Sequence, residues 1–233
     1  MSDTALAAQL PNDQGERKFL VDAPTAQRVW ELASMRLCAE TRDSSRPFTY
    51  HRTTYFDTPD HVYYRGDGPV ATRIRVREYA SAPGPGVAPT LTKPCFLELK
   101  QSAFGRRNKT RYEIEAQEIE SHLTRFGGVK LLPCLTTWYR RTALTDAGER
   151  IRITLDSDLR YCEPQRIGGP CEVDPACCAR VEDLVLEVKV WGSPPAWLRQ
   201  LLRTLREAEE FSKFRAGMRA VQSWRPTRAC ARP

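Results

Sequence analysis

The chain has 233 residues and carries 36 lysines and arginines against 29 aspartates and glutamates, a net charge of +7. That excess suits an anionic partner without saying whether it is nucleic acid, a membrane surface or a small phosphate compound. No apolar run approaches the roughly 18 residues of a membrane span. The start, Met1-Ser-Asp-Thr-Ala-Leu-Ala-Ala, lacks the basic and apolar regions of a signal peptide and the arginines of a transit peptide. We expect a soluble cytoplasmic protein with no membrane span and a substantial core.

Residues 1–13 are expected to be a disordered tail, 14–222 a single domain and 223–233 a basic tail. Residues 14–21 read as a strand with Glu16 and Lys18 on one face and Phe19 and Val21 on the other. Asp22-Ala-Pro24 is a helix start, a cap followed by an early proline. The helix should run to about Cys38 with Val29, Leu32, Ala33 and Leu37 as its apolar stripe. A polar connection over 41–47 leads to a second strand at 48–56, which the turn cluster Asp57-Thr-Pro-Asp60 ends.

The third strand, about 71–79, alternates strictly: Arg73, Arg75 and Arg77 point one way, Ile74 and Val76 the other. Three guanidinium groups about 7 Å apart repel one another unless something anionic lies across them. A Pro- and Gly-rich loop at 81–89 follows. Strands at 95–101 and 108–115 come next, then a short helix at 117–125 that stops at Gly127-Gly128. Strands at 135–143 and 150–157 carry Tyr139 with Arg141, and Arg152, Thr154 and Asp156, on their polar faces. After an irregular insertion at 158–182, a strand at 184–190 presents Glu187 and Lys189. Ser193-Pro-Pro195 caps a helix bearing Leu198, Leu201, Leu202 and Leu205, and 211–221 continues helically.

The chain has eight cysteines. Cys38, Cys95 and Cys134 sit among apolar residues and read as buried thiols. Cys162, Cys171, Cys177 and Cys178 crowd one segment, but no pair has zinc-ligand spacing and no histidine is near. Free thiols are expected there. His51, His61 and His122 have no companions at ligand spacing and read as surface or structural.

Nearly every strand thus has one apolar face and one face of mixed charge rich in arginine and lysine. The apolar faces can pack under amphipathic helices. The basic faces then lie open to solvent or curl around a lumen, and a closed barrel supplies inside and outside positions on every strand. A cation-lined lumen is stable only if filled by anion or offset by acids. Glu16, Glu98, Asp156 and Glu187 are placed to offset it, and carboxylates beside phosphate are also how a hard divalent cation is held. Cations converging on a polyanion suit phosphoryl transfer, which needs positioning and charge neutralisation more than covalent chemistry. No P-loop and no Ser-His-Asp arrangement is present. A single-strand nucleic-acid binder would need aromatic stacking platforms among the cations, and Tyr139 is nearly alone there.

Taken together, Glu16-Arg-Lys-Phe19, Thr54-Tyr-Phe-Asp-Thr58, Arg73-Ile-Arg-Val-Arg77 with Tyr79, Leu97-Glu-Leu-Lys100, Lys109-Thr-Arg111, Tyr139-Arg-Arg-Thr-Ala143, Arg152-Ile-Thr-Leu-Asp156, Leu186-Glu-Val-Lys189 and Phe211-Ser-Lys-Phe214 resemble the triphosphate tunnel metalloenzymes. Within them the chain is similar to the polyphosphate polymerase domain of the vacuolar transporter chaperone complex and its bacterial stand-alone relatives. The resemblance implies an α+β fold: an eight-stranded antiparallel closed β-barrel, or tunnel, with helices packed on the outside. It implies that Lys18, Arg75, Arg77, Lys100, Arg141, Arg152 and Lys189 serve catalysis, and that Lys109, Arg111 and Lys213 bind phosphate, joined by Arg73 and Tyr139. Glu187 would hold Mn²⁺ or Mg²⁺, with Glu16 and Glu98 as further candidates.

The expected activity is transfer of the terminal phosphate of ATP to a growing polyphosphate chain. The alternatives are a tripolyphosphatase or nucleoside triphosphatase on the same fold, or a polyphosphate-binding module without turnover. Two departures bear on the choice. The hydrolytic branches open with E-x-E-x-K, where this chain has Gln14-Gly-Glu-Arg-Lys18, and a lysine common in the polymerases falls here on Glu210. The membrane segments of the eukaryotic polymerase are absent from this sequence, so a membrane-protein partner is expected to move any polymer across a membrane.

Overall fold

A computed structural model describes residues 14–40, 48–67, 70–81, 89–103, 106–125, 129–169 and 178–223. The expected tail at 1–13, all of the expected tail at 223–233 except Ser223, most of the connections at 41–47 and 81–89, and Gly127, Gly128, Cys171 and Cys177 lie outside them. The strands are β1 (Gln14–Val21), β2 (Cys38–Ala39), β3 (Thr49–Asp57), β4 (Ala71–Ser81), β5 (Thr90–Ala103), β6 (Arg106–Ile114), β7 (Leu132–Thr145), β8 (Ile151–Cys162), β9 (Cys178–Val181) and β10 (Leu184–Trp191). The helices are α1 (Ala23–Ser34), α2 (Val62–Arg65), α3 (Ile119–Thr124), α4 (Ala196–Arg203) and α5 (Lys213–Ser223). Every strand expected from alternation is present, most of them longer than the pattern alone delimits.

All strands join one antiparallel sheet in the order β1-β10-β8-β7-β3-β4-β5-β6, with β2 added to β7 and β9 to β8. Among the described residues no pairing links β1 to β6, so the sheet is an open path and the expected closed barrel is corrected to a curled sheet with two edges. Both edges are cationic, with Arg17 and Lys18 on β1 and Lys109 and Arg111 on β6.

The convex face is apolar. Phe19, Val21, Ile153, Leu186, Val188 and Val190 pack under Ala26, Val29 and Ala33 of α1 and Leu198, Leu201 and Leu202 of α4. Further along the sheet Phe56, Ile74, Val76, Leu97 and Ile114 pack under Ile119 and Leu123 of α3. Each such side chain, fully buried, contributes about 1.5–3 kcal/mol. Asp22 caps α1 by accepting the Thr25 amide at 2.9 Å, with proline in the first turn. That helix stops at Ser34 rather than near Cys38, because the chain turns at Met35 to pair β2 with β7. Leu32 is therefore 40% exposed and Cys38 is exposed, not buried.

Not every helix lies outside. Tyr55, Leu135 and Tyr161 share the face of the arginine strand, since Tyr55 is opposite Arg75 and Leu135, and Thr137 opposite Tyr161. These side chains form a core with Phe214 and Met218 of α5. The helix approaches so closely that a Cβ on Gly217 would meet Leu135 Cδ2 and Tyr161 Cδ1 at 2.6 Å. Glycine is required there by contact, and α5 fills part of the concave face.

The segment 158–182 is more regular than its composition suggested. β8 runs on through Cys162, β9 pairs with it, and Cys162 is the register partner of Cys178. The two form a disulfide with Cα atoms 4.5 Å apart, correcting the expectation of free thiols at these positions. The following residues strap the convex face. Gln165 accepts from Trp138 Nε1 at 3.1 Å, and the Gly168 amide donates to Glu78 at 2.8 Å. Glu78 in turn holds Arg52 at 2.6 Å in a fully buried ion pair. No helix among the described residues is long and apolar enough to cross a membrane.

Candidate functional site

Register places the charged residues in rows across the concave face. Arg73 of β4, Lys100 of β5 and Lys109 of β6 lie directly opposite one another. The next row is Tyr55, Arg75, Glu98 and Arg111, and beyond it stand Thr53 with Arg77 and His51 with Tyr79. On the other wall Glu16, Lys189 and Arg152 form one row and Lys18, Glu187 and Thr154 the next. Arg141 and Asp156 pair beside them. The walls face each other: the Lys100 ammonium feels the carboxylates of Glu16 and Glu187, and Arg73 feels Glu16, although β5 and β1 are far apart in the strand order.

Carboxylates neutralise part of this face. Glu98, 2% exposed, binds Arg75 at 2.6 Å, Lys109 at 3.1 Å and Arg111 at 3.8 Å. Burial alone would raise its pKa, but Arg75, Arg77 and Lys109 outweigh burial and hold it far below the ordinary range. Asp156, fully buried, accepts from Arg141 at 2.6 and 2.8 Å and from Lys213 at 2.6 Å. Lys18 pairs with Glu16 at 2.9 Å and Lys189 with Glu187 at 3.2 Å.

Other cations have no carboxylate partner among the described residues. Lys100 makes no ion pair, and the charge of Arg75, followed by burial, pushes its pKa well below the usual value for lysine. Arg73 reaches only Ser212 Oγ, at 3.5 Å. Arg77, 6% exposed, bonds His51 Nδ1 at 3.2 Å and leaves its Nε without a partner. Like charges opposite one another on neighbouring strands destabilise a sheet. The row Arg73, Lys100 and Lys109 is therefore a standing demand for an anion. Tyr139, buried, adds a ring with Lys213 at 5.1 Å, Arg141 at 5.5 Å and Arg77 at 5.8 Å from its centroid.

The sheet thus brings together Lys18, Arg73, Arg75, Arg77, Lys100, Lys109, Arg111, Tyr139, Arg141, Lys189, Lys213, Glu16, Glu98 and Glu187 on one face. Arg152 joins its row but is paired at the rim with Glu40, Nη2 to Oε1 at 2.8 Å. Glu98 stands on the wall opposite Glu187, enclosed by cations, which separates it from the other metal candidates. Glu210 is exposed ahead of α5. Asp57 of the Thr54–Thr58 motif is structural: it accepts the amides of Thr58, Tyr63 and Tyr64 and so anchors α2.

Sequence reasoning missed His51, which is 5% exposed, stacked on Tyr139 at 4.9 Å and edge-on to Tyr79 at 4.9 Å. It also missed how many aromatics share this face. Tyr79 is buried and Phe96 is covered by the Arg111 guanidinium at 3.8 Å, so none of these rings offers the open stacking platform that single-stranded nucleic acid needs.

Glu16 and Glu187 are diagonal neighbours, each paired with a lysine; burial and the charge of Glu187 oppose ionisation of Glu16, but Lys189 and Lys18 outweigh them and its pKa lies below the usual value. For Glu187, burial opposes ionisation and is outweighed by Lys189, Arg141, Lys213 and Lys18, so it stays well below its usual pKa. The described residues contain no cluster of three acidic, histidine or cysteine groups. Two neighbouring carboxylates with mutual repulsion are oxygen donors of the kind a hard divalent cation takes, and Glu16 and Glu187 would hold it.

One solved structure supports the fold. A Bacillus halodurans protein provisionally assigned as an adenylate cyclase superposes with a TM-score of 0.53 at 16% identity, covering 88% of this chain and 98% of its own. The PH1012 protein of Pyrococcus horikoshii OT3 aligns with a TM-score of 0.45 at 13% identity, over 86% of this chain and 94% of its own. No curated protein matches in sequence. The profile of the VTC domain matches residues 13–129 and 125–222, nearly the whole described sheet and its helices. The chain belongs to the VTC domain family.

Proposed function

We propose that the concave face is the triphosphate-binding site of a divalent-metal-dependent phosphotransferase, and that the reaction moves the terminal phosphate of ATP onto a growing polyphosphate chain. The observation that carries the reading is the row of Arg73, Lys100 and Lys109, cations opposite one another, in which Lys100 has no ion pair among the described residues. Membership of the VTC domain family supports the same reading.

In this reading Arg73, Lys100 and Lys109 bind successive phosphates of the bound chain. Arg75 and Arg111, oriented by Glu98, and Arg141 and Lys213, oriented by Asp156, are held ready to meet charge that develops in the transition state. Because the carboxylates fix these guanidinium and ammonium groups before substrate arrives, little reorganisation accompanies the reaction. Glu16 and Glu187 would hold Mn²⁺ or Mg²⁺, which would supply positive charge against the charge of the transferred group. Lys18 and Lys189 flank those carboxylates and hold them ionised. The acceptor is the terminal phosphate of the growing chain. With water as acceptor the same face would be a tripolyphosphatase.

Incubation of the purified protein with ATP and Mn²⁺, resolved on a gel, separates the readings. Polymer that grows with time is the expected result. Free phosphate without polymer would assign hydrolysis, and neither product with retained tripolyphosphate binding would leave a binding module.

A further inference from the structure

Arg77 is the cation whose environment its own charge does not explain. It is 6% exposed, and among the described residues it forms no ion pair within 4 Å and its buried Nε has no partner. Its one hydrogen bond to a side chain joins Nη1 to His51 Nδ1 at 3.2 Å. A guanidinium can only donate, so Nδ1 must be the acceptor, and His51 is the neutral tautomer with its proton on Nε2. The ring is fixed in the plane that makes this possible. It stacks on Tyr139 with rings 19° apart and meets Tyr79 edge-on at 77°. Both tyrosines come from strands adjacent to β3, in the same row as His51.

We infer that His51 is a positioning residue for phosphate binding: through Nδ1 it holds Nη1 of Arg77 and so fixes the plane in which the rest of the guanidinium meets the bound chain. This rests on the reading of the concave face as a triphosphate site and adds a residue that acts through Arg77 rather than on substrate. An unanchored arginine would swing among rotamers and lose that geometry before binding.

Two substitutions separate positioning from packing, because each keeps what the other removes. H51F preserves the ring and its stacking but offers no acceptor. H51N gives up the ring but places Oδ1, also bonded to Cγ, where Nδ1 was. Titration calorimetry with metal-free protein and sodium tripolyphosphate at low salt is the measurement, with melting curves to establish folding. We expect H51F to bind about tenfold more weakly than the parent, the factor of one hydrogen bond of about 1.4 kcal/mol. H51N should bind within about threefold of the parent, an allowance of under 1 kcal/mol. The reverse order, parent-like H51F and weakened H51N, would make His51 a packing residue and overturn the inference. If H51F does not fold, H51N decides: retained binding supports positioning and lost binding refutes it. A parent that binds no tripolyphosphate removes the site reading itself, and the positioning role with it.

Discussion

Replacing Glu187 by glutamine should lower turnover roughly 10²- to 10³-fold, the range seen when one preorganised electrostatic contact to a reacting group is removed. Gln keeps the size and one acceptor oxygen but gives up the charge that faces Lys189 at 3.2 Å and, with Glu16, offers two carboxylates to a divalent cation. Excess Mn²⁺ should restore part of the rate, since weakened metal affinity yields to mass action. Tripolyphosphate binding without metal should persist or tighten, because the face becomes more positive by one charge. A structural ion pair would behave differently: stability would fall while the metal titration kept its midpoint. Steady-state rates across a Mn²⁺ series, with calorimetry on metal-free protein, distinguish the two.

The second large effect is on stability. Asp156 is fully buried and accepts from both Arg141 and Lys213, tying α5 to β7 and β8. Asp156→Asn leaves two largely buried cations facing each other and should cost about 3 kcal/mol, read from denaturant unfolding. Tripolyphosphate should recover part of that loss by supplying the missing negative charge. The same carboxylate makes the fold acid-sensitive. Burial opposes ionisation of Asp156, but Arg141 and Lys213 prevail and its pKa lies below the ordinary 3.8. Glu98 is likewise lowered from 4.5. A depressed carboxylate contributes its stability in full above the unfolded-state pKa, and that stability is lost as pH falls through the folded one. Unfolding free energy should therefore hold steady down to about pH 5 and decline steeply below about pH 4, with a shallower decline in Asp156→Asn.

The parts of this site visible in the sequence are those whose strands alternate apolar and polar residues, whatever their burial. β4 and β8 alternate so regularly that Arg73, Arg75, Arg77, Arg152 and Asp156 could be assigned to a face without coordinates. β3 could not be read this way, because residues 51–57, buried on both faces, do not alternate so. His51 and Tyr55 on the concave side look no different in sequence from Arg52 and Phe56 on the convex side. Pairings made by tertiary register left no local signal either. Glu40 reaches Arg152 only because β2 joins β7, and Cys162 meets Cys178 only through the β8–β9 register. Closure failed for a related reason. Alternation assigns inside and outside to each strand but says nothing of whether the first and last strands pair. The place of α5 on the concave face was hidden too, since an apolar helical stripe does not say which side of a sheet it covers.

Lys100 and the cations around it should form a specific polyphosphate site rather than a generally basic surface. Melting temperatures in sodium tripolyphosphate and in sodium sulfate at equal ionic strength, for the parent and for Lys100→Ala, test it most directly. Ligand at about a hundredfold excess over Kd adds about 2.7 kcal/mol, or roughly 5–10 °C for a chain of this size. That rise is expected with tripolyphosphate and little with sulfate. Ligand-free Lys100→Ala should melt no lower than the parent, because a like charge has been removed, and should gain much less from tripolyphosphate. Equal shifts with both salts, unchanged in Lys100→Ala, would contradict a specific polyphosphate site.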